Sequence, residues 1–194
     1  MARGDIGTKG DLRVLLQGDI EVALKEVDRL PKDVVLNEDP GKVILKIVTQ
    51  VAQSPIVLQW EARKFKDTRE VKIPGDDFGR PVQVNGLAKD IHIPTSGALN
   101  LLRYKASQSF VSSLNWKIEG SDLVLTVAAP NLTDDFVKSE YERSRTQLIQ
   151  VTDWVNQDLA QNHTQMSGQV NARLHARREM LTKAAKLDED LDSE

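Results

Sequence analysis

The apolar positions of this chain change rhythm along its length. Between residues 131 and 187 there is no proline and one glycine, Gly168, and apolar side chains return every three or four positions. Val137, Tyr141, Leu148, Val151, Val155 and Leu159, with Ser144 in line, form a heptad-like stripe of the kind that makes one face of an α-helix. Gln161-Asn162-His163-Thr164 interrupts the stripe with four polar residues, and Met166, Val170, Leu174, Leu181, Ala184 and Leu187 continue a weaker one. Pro130-Asn131 marks the start: Asn131 suits an N-cap, and Asp134 and Asp135 fall in the first turn, where the helix dipole favours anions. Residues 131–160 are net acidic, whereas residues 161–187, with Arg173, Arg177, Arg178, Lys183 and Lys186, are net basic. A turn near His163 would set Asp153 opposite Arg173 and Glu140 opposite Lys186. The pattern therefore predicts an antiparallel helical hairpin over residues 131–187.

The first 130 residues read as a mixture. Arg13-Val14-Leu15-Leu16 suits a short strand. Asp19 is placed to cap a helix over residues 20–30, with Ile20, Leu24 and Val27 on one side and Pro31 stopping it. In residues 39–53, Asp39-Pro40 looks like an N-cap followed by proline at the first helical position. Ile44, Ile47, Val48 and Val51 are helically spaced, yet the run is also β-branched; helix is the better fit. A strand over residues 56–60 follows Pro55. Pro74-Gly75-Asp76-Asp77 and Gly79-Arg80-Pro81 punctuate residues 66–95, with short strands expected at 71–73, 82–84 and 90–93. Ser96-Gly97 opens a short helix over 98–102. Alternation in residues 114–128 around Glu119-Gly120-Ser121-Asp122 predicts a β-hairpin with one buried face. The fold class is thus α+β: a mixed, mainly antiparallel sheet with one or two helices in residues 10–130, then the helical hairpin. Residues 1–9 read as disordered. Residues 188–194 read as an acidic tail or linker beyond which the natural protein is expected to continue; a stop codon directly after Glu194 counts against that.

A chain of 194 residues suits one large domain or one with an appendage. Hydrophobic residues at 40% and charged residues at 28% are ordinary for a globular chain, and aromatics at 5% leave the core to Leu, Val and Ile. With no cysteine, disulfides, thiolate zinc sites and cysteine nucleophiles are excluded. No apolar run approaches the ~20 residues that span a bilayer, and the N-terminus lacks a signal-like apolar core, so no membrane and a cytoplasmic setting are expected. A net charge of −3 argues against a protein that coats nucleic acid, while leaving room for a local basic face.

The candidate chemistry is sparse. Arg173, Arg177 and Arg178 are spaced to contact phosphates, or else to pair with the acidic part of the same tract. Glu61-Ala62-Arg63 after a strand distantly matches a metal-dependent nuclease, with Asp33 or Asp39 upstream. Arg63 stands where lysine is wanted, however, and cannot give up a proton as lysine can. Asp76-Asp77 suits a polar turn better than a cation site. His92, His163 and His175 are too scattered for a zinc motif. Trp60, Trp116 and Trp154 read as core anchors. No phosphate loop, dinucleotide fingerprint or nucleophile motif is present, so no catalytic residue, metal ligand or cofactor is assigned.

The order Ile93-Pro94-Thr95-Ser96-Gly97, Leu101-Leu102-Arg103-Tyr104, a hairpin, and a helical tract with Asn171 and Arg177-Arg178-Glu179-Met180-Leu181 resembles uncharacterised N-terminal segments of bacterial multidomain proteins. The downstream parts of those proteins carry TIR or nuclease domains. The resemblance covers residues 91–187 and implies an accessory, sensing or assembly domain of a defence-type protein, with no residue roles carried over. The first expectation is therefore a non-catalytic interaction or oligomerisation module. It would use Val137, Tyr141, Leu148, Val151 and Val155 to meet a second copy or another protein, provided that the stripe is not already covered within the chain. A nucleic-acid-contacting domain and a divergent nuclease are the alternatives.

Overall fold

The computed structural model describes residues 5–108 and 114–191. Three helices come first: α1 (Leu12–Arg29), α2 (Lys32–Asn37) and α3 (Pro40–Val51). Six strands follow: β1 (Val57–Leu58), β2 (Lys64–Phe65), β3 (Arg69–Asp77), β4 (Arg80–Ser96), β5 (Trp116–Glu119) and β6 (Asp122–Ala129). One helix, α4 (Asp134–Leu191), closes the chain. The fold is α+β with an antiparallel sheet, as the patterning implied. No helix among the described residues is long and apolar enough to cross a membrane.

The chain divides into two compact units. One holds the described residues of Met1–Leu12 and Ser54–Asp158; the other holds Arg13–Gln53 and the described residues of Leu159–Glu194.

In the first unit β4 is the spine. Along one side it pairs in turn with β3 (Arg80–Ala88 against Arg69–Asp77), with β2 and with β1. Along the other it pairs with β6, from Leu87 to Pro94, and β6 pairs with β5. Alternation decides the core. Ile91 and Ile93 share a face with their register partners Leu125 and Leu123 and with Val127, and all five are buried. Trp116, opposite Leu125, is fully buried and its indole N–H donates to the Ser144 carbonyl at 3.3 Å. Val137, Tyr141, Leu148 and Val155 of α4 are buried in this unit.

Several expectations need correction here. The short strands anticipated in residues 71–73, 82–84 and 90–93 are parts of two long ones. Pro74 is tolerated because β3 is an edge strand, and Pro81 because that part of β4 lacks a β6 partner. The turn sits at Phe78-Gly79, both with positive φ (51° and 82°), and the Asp76 carboxylate accepts the Gly79 N–H at 2.7 Å. The strand expected over 56–60 is only Val57–Leu58. Beyond it the ladder meets Pro94, which accepts from Gln59 N–H but has none to return. Residues 5–9 are ordered, contrary to the tail expected there. Asp5 N–H donates to Trp116 O, Gly7 N–H to Leu102 O and Lys9 N–H to Arg103 O, and Ile6 is buried.

The second unit is helical. Ile20, Ala23 and Val27 of α1 meet Val35 of α2, Val43, Ile47 and Val48 of α3, and Met166, Val170 and Leu174 of α4. The strand expected at Arg13–Leu16 is instead the first turns of α1. Leu12, Leu16, Ile20, Ala23 and Val27 step by fours and threes and are all buried, so the helical period reaches back past Asp19. Asp19 therefore caps nothing. Its carboxyl is pushed up by burial, which the Gln53 hydrogen bond only partly offsets. At α3 the reading stands: Asp39 is the N-cap, accepting the Lys42 N–H at 2.9 Å, with proline next.

The predicted helical hairpin is a single helix. Its buried positions run Leu159, Asn162, Met166, Val170 and Leu174 without a gap. Asn162 is polar but faces inward, where its amide donates to the Leu16 carbonyl at 2.9 Å, so the polar stretch breaks nothing. Gly168 has open space where a Cβ would stand and ends no turn. The N-cap is Thr133 rather than Asn131: its hydroxyl accepts the Phe136 N–H at 3.3 Å. The helix also continues through residues 188–191, expected as tail; residues 192–194 lie outside the described residues.

Candidate interaction site

The residues expected to form a site fall into two separate groups, and both are already engaged. Of the α4 stripe, Val137, Tyr141, Leu148 and Val155 are between 0% and 7% exposed and Val151 is half-buried, so these side chains are core, not a free face. The arginines belong to the helical unit. Arg173 pairs with Asp28 at 2.8 Å, and its hydrogen bond holds the Asp28 carboxyl below the usual carboxylate range. The Arg177 guanidinium donates to the Val27 carbonyl and, at 2.6 Å, to the Leu30 carbonyl. Arg178 donates to the carbonyls of Val35 (2.7 Å), Leu36 (3.1 Å) and Glu38 (2.7 Å). These are carbonyls at and just past the ends of α1 and α2, where a helix leaves acceptors unpaired and carries partial negative charge. The arginines are engaged within the chain, but with Asp28 and these helix-end carbonyls, not with the acidic residues of 131–160 that the charge pattern paired them with.

The remaining candidates hold little chemistry. Glu61 is exposed on a one-turn 3-10 helix, Trp60–Ala62, and the Asp39 carboxylate is committed to its cap. Among the described residues no three His, Asp or Glu side chains group to hold a metal. His92 lies on β4 with its ring nitrogen 3.5 Å from Asp122; His163 and His175 are exposed along α4.

The feature that sequence reasoning missed is a cavity of about 780 Å³ in the sheet-bearing unit. Its floor is small: Ala88 of β4 lies in register with Ala128 of β6. Beside them Gly86 is closed in, since a Cβ there would come within 2.7 Å of the Ile73 side chain and 2.9 Å of the Ala129 carbonyl. Val71, Ile73 and Pro74 form one wall, and Pro130 and Phe136 stand at another. Arg69, Lys72 and Lys117 line it and no carboxylate does. Arg69 is partly neutralised by Asp90 at 3.0 Å, and the Lys72 ammonium donates to Asn85 on the face of β3 opposite Val71 and Ile73; Lys117 pairs with no carboxylate among the described residues. The volume is within the range of sites that take a ligand or a few side chains, about 300–1,000 Å³. Alternating Val71 and Ile73 could have suggested a wall, and Pro130 the end of β6, but nothing local says that β4 runs on past that end and leaves the space open.

Asp90 stands behind the lining, where it holds Arg69 and Thr126. Burial by itself would raise its carboxyl, but hydrogen bonds from Thr126 (2.6 Å) and Arg69, with the charges of Arg69 and His92, outweigh that and hold it below its usual 3.8. A depressed folded-state value means that the stabilisation is complete above the unfolded value and is lost as pH falls through the folded one. Asp90→Asn should therefore cost stability at pH 7, with the gap to the parent chain closing as pH falls below 3.8. Urea midpoints read by tryptophan fluorescence check this, because Trp60, Trp116 and Trp154 all belong to this unit.

Comparison with protein-family models, curated proteins and solved structures finds no match to this chain.

Proposed function

We propose that the chain is a non-catalytic interaction module that receives a protein partner in the cavity of its sheet. The observation that carries this reading is the cavity itself: apolar surface flanked by Arg69 and Lys117, with no carboxylate on its lining. Such a site offers burial of apolar side chains together with attraction for acidic ones. The long helix plays a structural part in this reading, since its stripe is buried. Nucleic acid has less support, because the donors of Arg173, Arg177 and Arg178 are engaged within the chain.

A photo-crosslinking amino acid at Lys117 tests the reading in cells that make the protein. The expected result is a discrete protein adduct that is missing when the same group replaces exposed Val14. Identical adducts from both positions, or none from Lys117, would remove the cavity as the contact surface.

A further inference from the structure

We infer that the partner binds as an extended acidic peptide that adds a strand to the free side of β4; this rests on the cavity being the contact surface. β4 pairs with β3 over Arg80–Ala88, but β6 reaches only as far as Leu87 on the opposite side. β6 ends there because Pro130 follows Ala129 and brings no N–H. Residues 80–86 are left with β3 on one side and no strand on the other among the described residues. Alternate N–H and C=O groups of such a segment point outward, which is the template that strand addition uses.

The unpaired segment borders the cavity. Gln83 comes from it, and Ala129 and Pro130 mark the point where β6 stops. A strand entering past Ala129 and running antiparallel to β4 continues the line of β6. Its side chains alternate in direction, so every second one turns toward the Val71, Ile73 and Ala128 side of the sheet. The charge on the lining selects the occupant. With Lys117 on the same face as Ala128 and no carboxylate on the lining, the peptide that fits has apolar residues at alternate positions and Asp or Glu beside them.

A displayed library of random decapeptides, selected on the intact chain, tests this. Enriched peptides should be proline-free, with alternating apolar residues and an excess of acidic ones. N-methylating alternate amides in one register should weaken binding by about tenfold or more and in the other register little, since only one set of amides faces β4. Lys117→Glu should weaken it severalfold, with the circular dichroism spectrum unchanged. Strand addition is overturned if nothing enriches, if both methylation registers act alike, or if charge reversal leaves the affinity unchanged. Ala128→Trp separates the two ideas. Binding lost in Ala128→Trp but blind to methylation register keeps the cavity and sinks the strand; binding retained in Ala128→Trp sinks both. A concentration-dependent dimer of the peptide-free chain that Ala128→Trp abolishes would assign the cavity to a second copy and overturn the peptide.

Discussion

Replacing Gly97 with alanine should cost about 3–5 kcal/mol, combining a strained left-handed backbone with a forced overlap. Gly97 has φ of +88°, and a Cβ there would lie 1.9 Å from the Pro55 carbonyl oxygen and 2.7 Å from its carbon. Both are backbone atoms, so no side chain can swing aside. The chain must separate, and what it would pull apart is specific. Ala98 N–H donates to Ser54 O at 3.1 Å, β1 pairs Val57 with Ser96 and Leu58 with Thr95, and Asn156 holds both the N–H and the C=O of Ile56 at 2.8 and 2.9 Å. Gly120 supplies the control. It also has positive φ (+60°), but nothing lies within 4 Å of its virtual Cβ, so Gly120→Ala should cost only the backbone term, about 1–2 kcal/mol. Urea midpoints by tryptophan fluorescence should rank Gly97→Ala well below Gly120→Ala. Equal losses would show that the approach of Pro55 is not what requires glycine.

Arg178→Ala should destabilise the helical unit by about 2–3 kcal/mol, and the pair Arg177→Ala with Arg178→Ala by more, because carbonyls left without a charged donor bear most of the desolvation cost. Arg178 reaches the carbonyls of three residues with one planar group. Lysine should recover only part of the loss, since an ammonium cannot span the fork geometry. Arg173→Ala should have a much smaller effect: its ion pair with Asp28 leaves both side chains roughly half exposed, and water replaces it readily. Thermal melts at 222 nm should therefore order the variants with Arg173→Ala nearest the parent chain, then Arg178→Lys, then Arg178→Ala. A melt of Arg178→Ala that overlays the parent would mean that the ends of α1 and α2 find other donors.

These two cases show why some of the chain could be read directly and some could not. The Asp39-Pro40 start of α3, the hairpin of β5 and β6, and the stripe from Val137 to Leu159 rest on signals local to a few residues: a cap, a turn, a repeat of 3.6. Asn162 was misleading for the opposite reason. By type it interrupts a stripe, yet the Leu16 carbonyl, 146 residues away, makes it an interior residue and keeps α4 continuous. Charge misled in the same way: the basic residues matched acidic ones at suitable spacing along the tract, but the acceptors they found are carbonyls at helix ends, which no composition records.

The sequence by itself determined the periodicities: where helix and strand alternate, which face of each is apolar, and that the long C-terminal tract is helical. Those properties follow from side chains spaced within one or two turns or along one strand. Only the tertiary structure decided what covers each face and what is left uncovered. It buried the stripe, committed the arginines, and left β4 longer than its β6 partner, so that a cation-lined cavity opens beside residues 80–86. Strand lengths and burial depend on contacts between distant segments, and there the free energy of packing and of satisfied polar groups outweighs local preference.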